Sequence, residues 1–332
     1  MNAVTTHLSQ AETKSAVAVE SGAIKRFGRL APLLVLVALG VVFASINPVF
    51  ASAENARNIL FLASVLLVAS CGATFVILMG SIDLSVGASA TLAGVVAALT
   101  VPSFGYAALL IATLVGLAVG LVNGLLFVFL RIPSILVTLG TATSLVGVTL
   151  YLCDGGSVPI RDAAYIAMTQ TEIIPYVPLI VFFAVAVYAS SVVIGEHTRF
   201  GRMTLAIGGD EQTTALVGVR VNLVKIQAFA MSGALGGLAG ALLASRLGTG
   251  TGTMGDFLML ETITAVVVGG TAITGGVGGV ARTLLGVLVV AMLSNGMNII
   301  AVHPYLQTII KGCVILLAVA AMKRASTAYE GN

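Results

Sequence analysis

The 332-residue chain contains very little charge. Only 9% of its residues are Asp, Glu, Lys or Arg, whereas 58% are hydrophobic and the mean hydropathy is +1.09. Since roughly a quarter of the residues in a soluble domain are charged, this composition excludes an ordinary soluble protein. Apolar runs long enough to cross a bilayer, roughly 17–25 residues, recur along nearly the whole chain and leave no room for a soluble catalytic domain.

Other features are scarce or missing. The three cysteines, Cys71, Cys153 and Cys313, are scattered without a C-x-x-C motif, so they predict neither a metal site nor a disulfide framework. The absence of tryptophan leaves Tyr and Phe to form interfacial belts. Because the sequence has no G-x-x-x-x-G-K-S/T motif, it cannot bind ATP through a P-loop of its own. The net charge of +3 reflects the loops and does not indicate nucleic-acid binding. We expect no cofactor and no metal in this chain.

Ten apolar runs predict an all-α, polytopic membrane protein with about ten transmembrane helices. They lie at residues 30–48, 58–79, 85–102, 106–130, 134–152, 176–195, 223–246, 257–274, 280–301 and 305–322. The polar lead of the first run is too long for a cleaved signal peptide, which favours an uncleaved span. Residues 30–322 thus form the membrane domain, between an N-terminal tail at 1–29 and a C-terminal tail at 323–332.

The positions of basic residues predict the orientation of these spans, because cytoplasmic loops are enriched in Lys and Arg. The N-terminal tail ends in a basic cluster, and an even number of crossings returns the C-terminus to the same side. We therefore expect both termini in the cytoplasm. Basic residues then fall inside at Arg131, Arg199, Arg202, Arg282, Lys323 and Arg324, and outside at Arg57, Arg161 and Arg246.

Two interruptions of the apolar pattern contain many glycines. Gly80–Gly87 separates the second and third spans and carries Asp83, which must be solvated, cap a helix or face a polar cavity. As a cap, Asp83 would accept backbone N–H groups near Ser85 and Val86. The second interruption, Gly269–Gly279, permits tight turns and close backbone approach. Its loose match to a dinucleotide-binding fingerprint has no βαβ context and is rejected.

A few polar residues lie inside the spans and are expected to face the bundle interior or a pathway. Interhelical hydrogen bonding is the favoured interpretation for the asparagines, and Lys311 either snorkels, pairs with Glu261 or contributes to permeation. The recurrence of Asn-Gly at Asn123 and Asn295 suggests two related halves. The candidates for a translocation path are Asp83, Ser85, Asn123, Asn295, Asn298 and Lys311.

A polar segment at residues 196–222 lies between these two predicted halves. Thr213–Arg220 is predicted to form a short helix with Asp210 as its N-cap and with an apolar stripe at Ala215, Leu216 and Val219. Gly209 and Gly218 would let the chain turn into and out of this helix. On pattern alone, the segment is either a docking helix for a soluble partner or a solvated connector.

The predicted outer loop, Asp154–Pro175, carries three acidic residues: Asp154, Asp162 and Glu172. It is a candidate docking face for an extracytoplasmic partner. A merely solvated loop is the alternative interpretation.

Three stretches together resemble the membrane permeases of ribose-type carbohydrate ABC importers. The first is Gly80–Gly87, which reads G-S-I-D-L-S-V-G. The second runs from Thr198 to Val221 and resembles the family's coupling segment, although Asp210, Thr213 and Val217 stand where Asn, Ala and Ser are usual. The third runs from Ala265 through the glycine-rich stretch to Asn295-Gly-Met-Asn298 and Lys311-Gly312.

The resemblance implies a transporter subunit without bond chemistry, located in a bacterial inner membrane and importing a pentose or hexose. It implies a second permease copy, cytoplasmic subunits that bind ATP, and a periplasmic sugar-binding protein. It also favours the docking interpretation of the segment at 196–222. The coupling residues it implies are Arg199, Gly201, Arg202, Gly209, Glu211, Ala215, Leu216, Gly218 and Val219.

Three alternatives differ in mechanism or class. A branched-chain amino-acid ABC permease shares the architecture, but the Ile82–Ser85 signature favours a sugar permease. An ion-coupled secondary transporter needs intramembrane acids as relays, and Asp83 and Glu261 are the candidates. A structural membrane scaffold needs neither the central polar segment nor polar residues inside its spans.

Overall fold

The computed structural model of the protein describes residues 32–330, and its side chains through residue 320. The predicted N-terminal tail at 1–29 lies outside the described residues. Thirteen α-helices occupy the described range: α1 Pro32–Ile46, α2 Ala53–Leu78, α3 Val86–Phe104, α4 Ala107–Leu130, α5 Ser134–Leu152, α6 Ala163–Gln170, α7 Leu179–His197, α8 Arg199–Gly209, α9 Glu211–Leu216, α10 Val221–Leu247, α11 Asp256–Val268, α12 Val280–Ile299 and α13 Pro304–Glu330. A 3₁₀ turn at Pro48–Ala51 joins α1 to α2.

Each of the ten predicted spans corresponds to one of these helices, which confirms the all-α, multi-pass prediction. Seven of them are long and apolar enough to cross a membrane alone: α2, α3, α4, α5, α7, α10 and α12. The apolar part of α13 is shorter, Pro304–Ala320, but the helix continues to Glu330 through most of the predicted C-terminal tail.

α11 is much shorter than the span predicted at 257–274. It has 13 residues and therefore rises about 20 Å at 1.5 Å per residue, less than the roughly 30 Å of a hydrocarbon core. The prediction is wrong at its C-terminal end, because the chain leaves the helix after Val268 and enters a loop in which Gly270 adopts φ +97°. The span predicted at 257–274 is thus a short helix followed by a loop.

α10 lies at the centre of the bundle and packs against α2, α3 and α4. The helix that follows the central polar segment is thus inserted among helices that precede it. Small residues permit this approach: a Cβ on Gly120 would lie 3.0 Å from the Cα of Gly233, and a Cβ on Gly237 would lie 3.0 Å from the Cα of Gly116. Glycines spaced four apart on both helices form the close backbone interface typical of membrane helices.

The predicted outer loop, between α5 and α7, is folded onto the end of α10. Strand β1 Ser157–Pro159 pairs antiparallel with β4 Thr249–Thr251, and β2 Glu172–Ile174 pairs with β3 Val177–Pro178. α6 places Tyr165 in a fully buried position, and the Ser245 hydroxyl donates to the Tyr165 carbonyl at 2.7 Å. The loop is therefore an ordered cover over α10.

Two of the three acidic residues in this loop have structural roles. Asp162 caps α6 by accepting the backbone N–H groups of Ala164 and Tyr165. Glu172 pairs with Arg57 at 3.0 Å, which ties the loop to α2. Asp154 is exposed. The use of this face for docking stays a prediction.

Candidate functional site

Asp83 is the acceptor in a buried polar cluster at the break between α2 and α3. Its Oδ1 accepts hydrogen bonds from the Ser85 backbone N–H at 2.9 Å and the Ser85 hydroxyl at 2.6 Å. Its Oδ2 accepts from the Ser232 hydroxyl on α10 at 2.8 Å. The Asn123 amide on α4 donates to the Ser85 Oγ at 2.8 Å. The cluster joins the break to α4 and α10.

The prediction of Asp83 as an N-cap is wrong, because Ser85 is the N-cap of α3 and no side chain among the described residues caps that helix; of the expected contacts, Asp83 accepts the Ser85 N–H but not that of Val86. Ser85 is the residue immediately before α3, so the bond satisfies one backbone donor at the start of that helix. Ser232 lies 149 residues away in sequence, and the sequence analysis missed it. Only the insertion of α10 into the first group of helices brings that hydroxyl to the carboxylate.

The cluster is shielded from solvent, with Asp83 4% and Asn123 0% exposed. Three donors offset part of the desolvation of the Asp83 carboxylate, because a buried carboxylate without hydrogen bonds is very costly. Within the described residues, the Asn123 Oδ1 is buried without a hydrogen-bond partner. A free amide oxygen of this kind suits a water molecule or a ligand hydroxyl.

The other predicted polar residues also bond between helices. The Asn295 amide on α12 donates to the Asn55 Oδ1 on α2 at 2.6 Å, and the Gln307 amide on α13 donates to the Asn298 Oδ1 at 2.9 Å. Together with the Asn123 bond, these contacts confirm the prediction of interhelical hydrogen bonding. Asn298 is exposed, whereas Asn295 is buried.

Lys311 on α13 pairs with Glu261 on α11. Its ammonium lies 2.5 Å from the Glu261 Oε1, and the Ser294 hydroxyl on α12 donates to the same oxygen at 2.9 Å. Of the three interpretations of Lys311, pairing is therefore the one observed. Asp83 and Glu261, the two acids that an ion-coupled mechanism would use, are thus both engaged by donors within the bundle.

The predicted translocation residues do not form one site. Asp83, Ser85 and Asn123 share the buried cluster at the α2–α3 break, whereas Asn295, Asn298 and Lys311 make separate contacts around α12 and α13. Their placement along a sugar path stays a prediction.

The central polar segment contains two helices, α8 and α9, joined at Asp210. The Asp210 Oδ1 accepts the backbone N–H groups of Gln212 at 2.9 Å and Thr213 at 3.1 Å, which confirms the predicted N-cap. Hydrogen bonds from the Thr213 hydroxyl and backbone hold the pKa of the Asp210 carboxyl below its usual range. The cap therefore stays ionised at neutral pH, beside the positive end of the helix dipole.

The predicted extent of the second helix is wrong at its C-terminal end. α9 stops at Leu216 rather than Arg220, and Gly218, with φ +87°, makes the predicted turn out of it. Val219 is half-buried and packs against the core, so it does not lie on the exposed face. The exposed apolar pair consists instead of Leu216 and Val217, which are 87% and 75% exposed.

α8 was missed by the sequence analysis. Its inward residues, Phe200, Met203 and Ile207, recur at helical spacing, and this signal predicts an amphipathic helix. Arg199 and Arg202 lie on its exposed side. Gly209 is the last residue of α8, and the turn expected there occurs at Asp210, where the backbone is extended.

A groove lies beside α9, with a cavity volume of about 530 Å³. It is lined by the end of α4, the α4–α5 turn, the start of α9 and the start of α10: Phe127, Val128, Phe129, Arg131, Ile132, Pro133, Glu211, Asn222 and Lys225. Lys225 pairs with Glu211 at 2.6 Å and lies 4.8 Å from the centre of the Phe127 ring. These contacts fix the start of α9 against α4 and α10.

Residues 55–319 match the family described as branched-chain amino acid transport system / permease component. The chain belongs to this permease family. The protein is therefore a multi-pass inner-membrane component of a transporter. No solved structure matches the chain significantly.

Curated relatives of this permease cover most of its length. It is 36% identical to the ribose import permease protein RbsC of Haemophilus influenzae over 295 residues, 87% of this chain and 91% of that protein. RbsC of Bacillus subtilis is 35% identical over 304 residues, 90% of this chain and 94% of that protein. The galactose/methyl galactoside import permease protein MglC of Escherichia coli K12 is 34% identical over 317 residues, 90% of this chain and 94% of that protein. The resemblance to ribose-type permeases is thereby confirmed.

Proposed function

We propose that this permease is the translocation subunit of an ATP-binding cassette importer for a small carbohydrate, a pentose or a hexose. The similarity to import permeases for ribose and for galactose or methyl galactoside, over most of each chain, supports a sugar rather than an amino acid. The Ile82–Ser85 signature agrees with this choice.

The proposed assembly contains a second permease copy, cytoplasmic subunits that bind and hydrolyse ATP, and a periplasmic sugar-binding protein. One observation carries the coupling proposal: Leu216 and Val217 are exposed at the tip of a capped helix between α7 and α10. An adjacent pair of apolar side chains on a polar segment outside the spans suits docking into an apolar groove of a partner.

In the proposed mechanism, ATP binding in the partner moves α8 and α9, and this movement shifts the permease between inward- and outward-facing states. The proposed coupling surface keeps the sequence-predicted residues that are exposed, with Val217 in place of the inward-facing Val219. Gly201 is buried against the Gly195 backbone and is left out. The surface consists of Arg199, Arg202, Gly209, Glu211, Ala215, Leu216, Val217 and Gly218.

Replacing Leu216 with Asp tests the docking proposal. The variant is expected to reach the membrane, because the side chain faces solvent without a partner. A charge in an apolar groove costs on the order of several kcal/mol when unpaired, so the ATP-binding subunit should no longer co-purify and uptake should be lost. Gln212→Asp is the matched control, since it adds the same charge at another exposed position of α9. Wild-type retention of the partner by Leu216→Asp would contradict the proposal.

Uptake measurements test the substrate class. Cells that express the permease with its partner subunits are given radiolabelled ribose, galactose and leucine in separate assays. We expect ATP-dependent accumulation of a pentose or hexose. Accumulation of leucine alone would support the amino-acid alternative, and uptake that follows an ion gradient without ATP would support a secondary transporter.

A further inference from the structure

Three backbone segments meet at the end of α8, and we call their meeting point the glycine junction. The segments are the end of α2 with the following turn, residues 78–80, the end of α8, residues 208–209, and the loop at 274–276. The backbone N–H of Gly276 donates to the Leu78 carbonyl at 3.0 Å, which ties the loop to α2.

The contacts at the glycine junction are made by backbone atoms. A Cβ on Gly275 would lie 2.9 Å from the Cα of Gly208, and a Cβ on Gly276 would lie 2.9 Å from the Cα of Gly209. A Cβ on Gly80 would lie 2.8 Å from the carbonyl oxygen of Thr274. These distances are shorter than the roughly 3.5–4.0 Å of an ordinary carbon contact, so side chains do not fit.

Backbone conformation adds a second requirement for glycine at three of these positions. Gly80, Gly275 and Gly276 have φ values of +72°, +83° and +74°, in the region that favours glycine. Gly208 has a helical backbone conformation, so only the close contact, and not its backbone angles, requires glycine at this position. Close-packed interiors have low compressibility and transmit strain. A displacement of α8 therefore displaces both neighbouring segments.

Both α8 and the loop are suited to move as rigid units. At the start of α8, a Cβ on Gly201 would lie 2.5 Å from the Cα of Gly195, so the helix is wedged at both ends. The loop is closed by a backbone hydrogen bond from Ala272 to Val277 at 2.9 Å. A second bond, from the Gly279 N–H to the Thr271 hydroxyl at 3.3 Å, lies just before α12.

The glycine junction includes residues from both interruptions of the membrane helices. Gly80 precedes Asp83 by three residues, and the Asp83 carboxylate is bonded to Ser232 on α10. On the other side, the loop continues into α12 at Val280. A shift of α8 therefore acts on the α2–α3 break and the α11–α12 break at once.

We infer that the glycine junction links α8 mechanically to these two breaks, with Gly208, Gly275 and Gly276 as positioning residues that make the breaks move together. The inference rests on the proposed function, because α8 must be driven by a docked ATP-binding subunit. It adds the route by which the displacement reaches the buried polar cluster.

The variant Gly208→Ala tests the link in the complete transporter, reconstituted with its ATP-binding subunits and binding protein. The ATP-binding subunit should still co-purify and hydrolyse ATP, while sugar transported per ATP hydrolysed falls by about tenfold, within the usual range of coupling between sites. The control is Gly147→Ala on α5, where an added Cβ meets nothing within 4 Å. A wild-type ratio in Gly208→Ala would overturn the inference.

Hydrogen exchange in the unmodified complex gives a test that does not depend on the folding of a variant. Adding the ATP-binding subunits should protect residues 199–217, and a non-hydrolysable ATP analogue should then change exchange at 78–84 and 271–279 together. Protection of 199–217 with no change at the breaks would overturn the inference and leave the proposed function intact. No protection of 199–217 would overturn the docking proposal and this inference with it.

Discussion

At the residue scale, several polar side chains inside the membrane domain bond to partners far away in sequence. Asp83 is bonded to Ser232 and Lys311 is paired with Glu261. An unsatisfied polar group in hydrocarbon costs several kcal/mol, so each pair fixes the relative position of two helices. Whatever these residues contribute to transport, they also hold the bundle together.

We predict that Asp83→Asn is tolerated and Asp83→Ala is not. In the Asn variant, the Oδ1 still accepts from Ser85, and the new amide donates to the Ser232 hydroxyl, which reverses its role. Ala leaves these donors without an acceptor, at roughly 1–3 kcal/mol for each buried group. Because the chain lacks tryptophan, the thermal midpoint is best followed by size-exclusion chromatography of a fluorescent fusion. If Asn abolishes transport as completely as Ala at normal expression, the charge itself is required.

At the scale of elements, the fold depends on helices that approach closely enough for their backbones to touch. The α4–α10 interface is the clearest case: a Cβ on Gly120 would lie 2.9 Å from the carbonyl carbon of Phe229. Neither helix can move aside easily, because α10 also packs against α2 and α3.

We predict that Gly120→Ala lowers the thermal midpoint and the yield of folded protein, since overpacking a tight interface typically costs about 1–3 kcal/mol. Gly140→Ala on α5 is the matched control, because an added Cβ there meets nothing within 4 Å. Fluorescence-detected size-exclusion chromatography after heating compares the two variants. Equal midpoints for Gly120→Ala and the wild type would show that the interface can relax.

At the scale of the whole molecule, an even number of spans and basic residues at both ends predict that both termini lie in the cytoplasm. Arg57 and Arg246 flank the same ring, Phe61, with their guanidinium carbons 5.6 Å and 4.9 Å from its centre, and Arg57 also pairs with the outer loop. Two of the three basic residues assigned to the outer side are thus close together. This agrees with the prediction that the start of α2 and the end of α10 lie on the same side of the membrane.

Reporter fusions to the C-terminus test this orientation. A green fluorescent protein fusion is expected to fluoresce, and an alkaline phosphatase fusion is expected to be inactive, because the phosphatase folds only outside the cytoplasm. A phosphatase fused within the outer loop, after Gly155, serves as the positive control. An active C-terminal phosphatase fusion would contradict the predicted topology with a cytoplasmic C-terminus.

The sequence by itself determined the membrane class, the approximate positions of the main helices, the Asp210 cap and the family resemblance. These features depend on composition, on periodicity within one element or on short contiguous motifs, all of which are local along the chain. For the same reason α8 could have been predicted, since Phe200, Met203 and Ile207 lie on one helical face. The predicted C-terminal ends of α11 and α9 were wrong, because these helices stop at Val268 and Leu216.

Only the tertiary structure decided which polar residues meet and which glycines touch. The Asp83–Ser232 bond spans 149 residues, and the glycine junction joins segments near residues 80, 208 and 275. The inward turn of Val219 likewise follows from packing against the core. Such contacts depend on the insertion of α10 among α2, α3 and α4, because side chains distant in sequence acquire their partners only when whole helices pack.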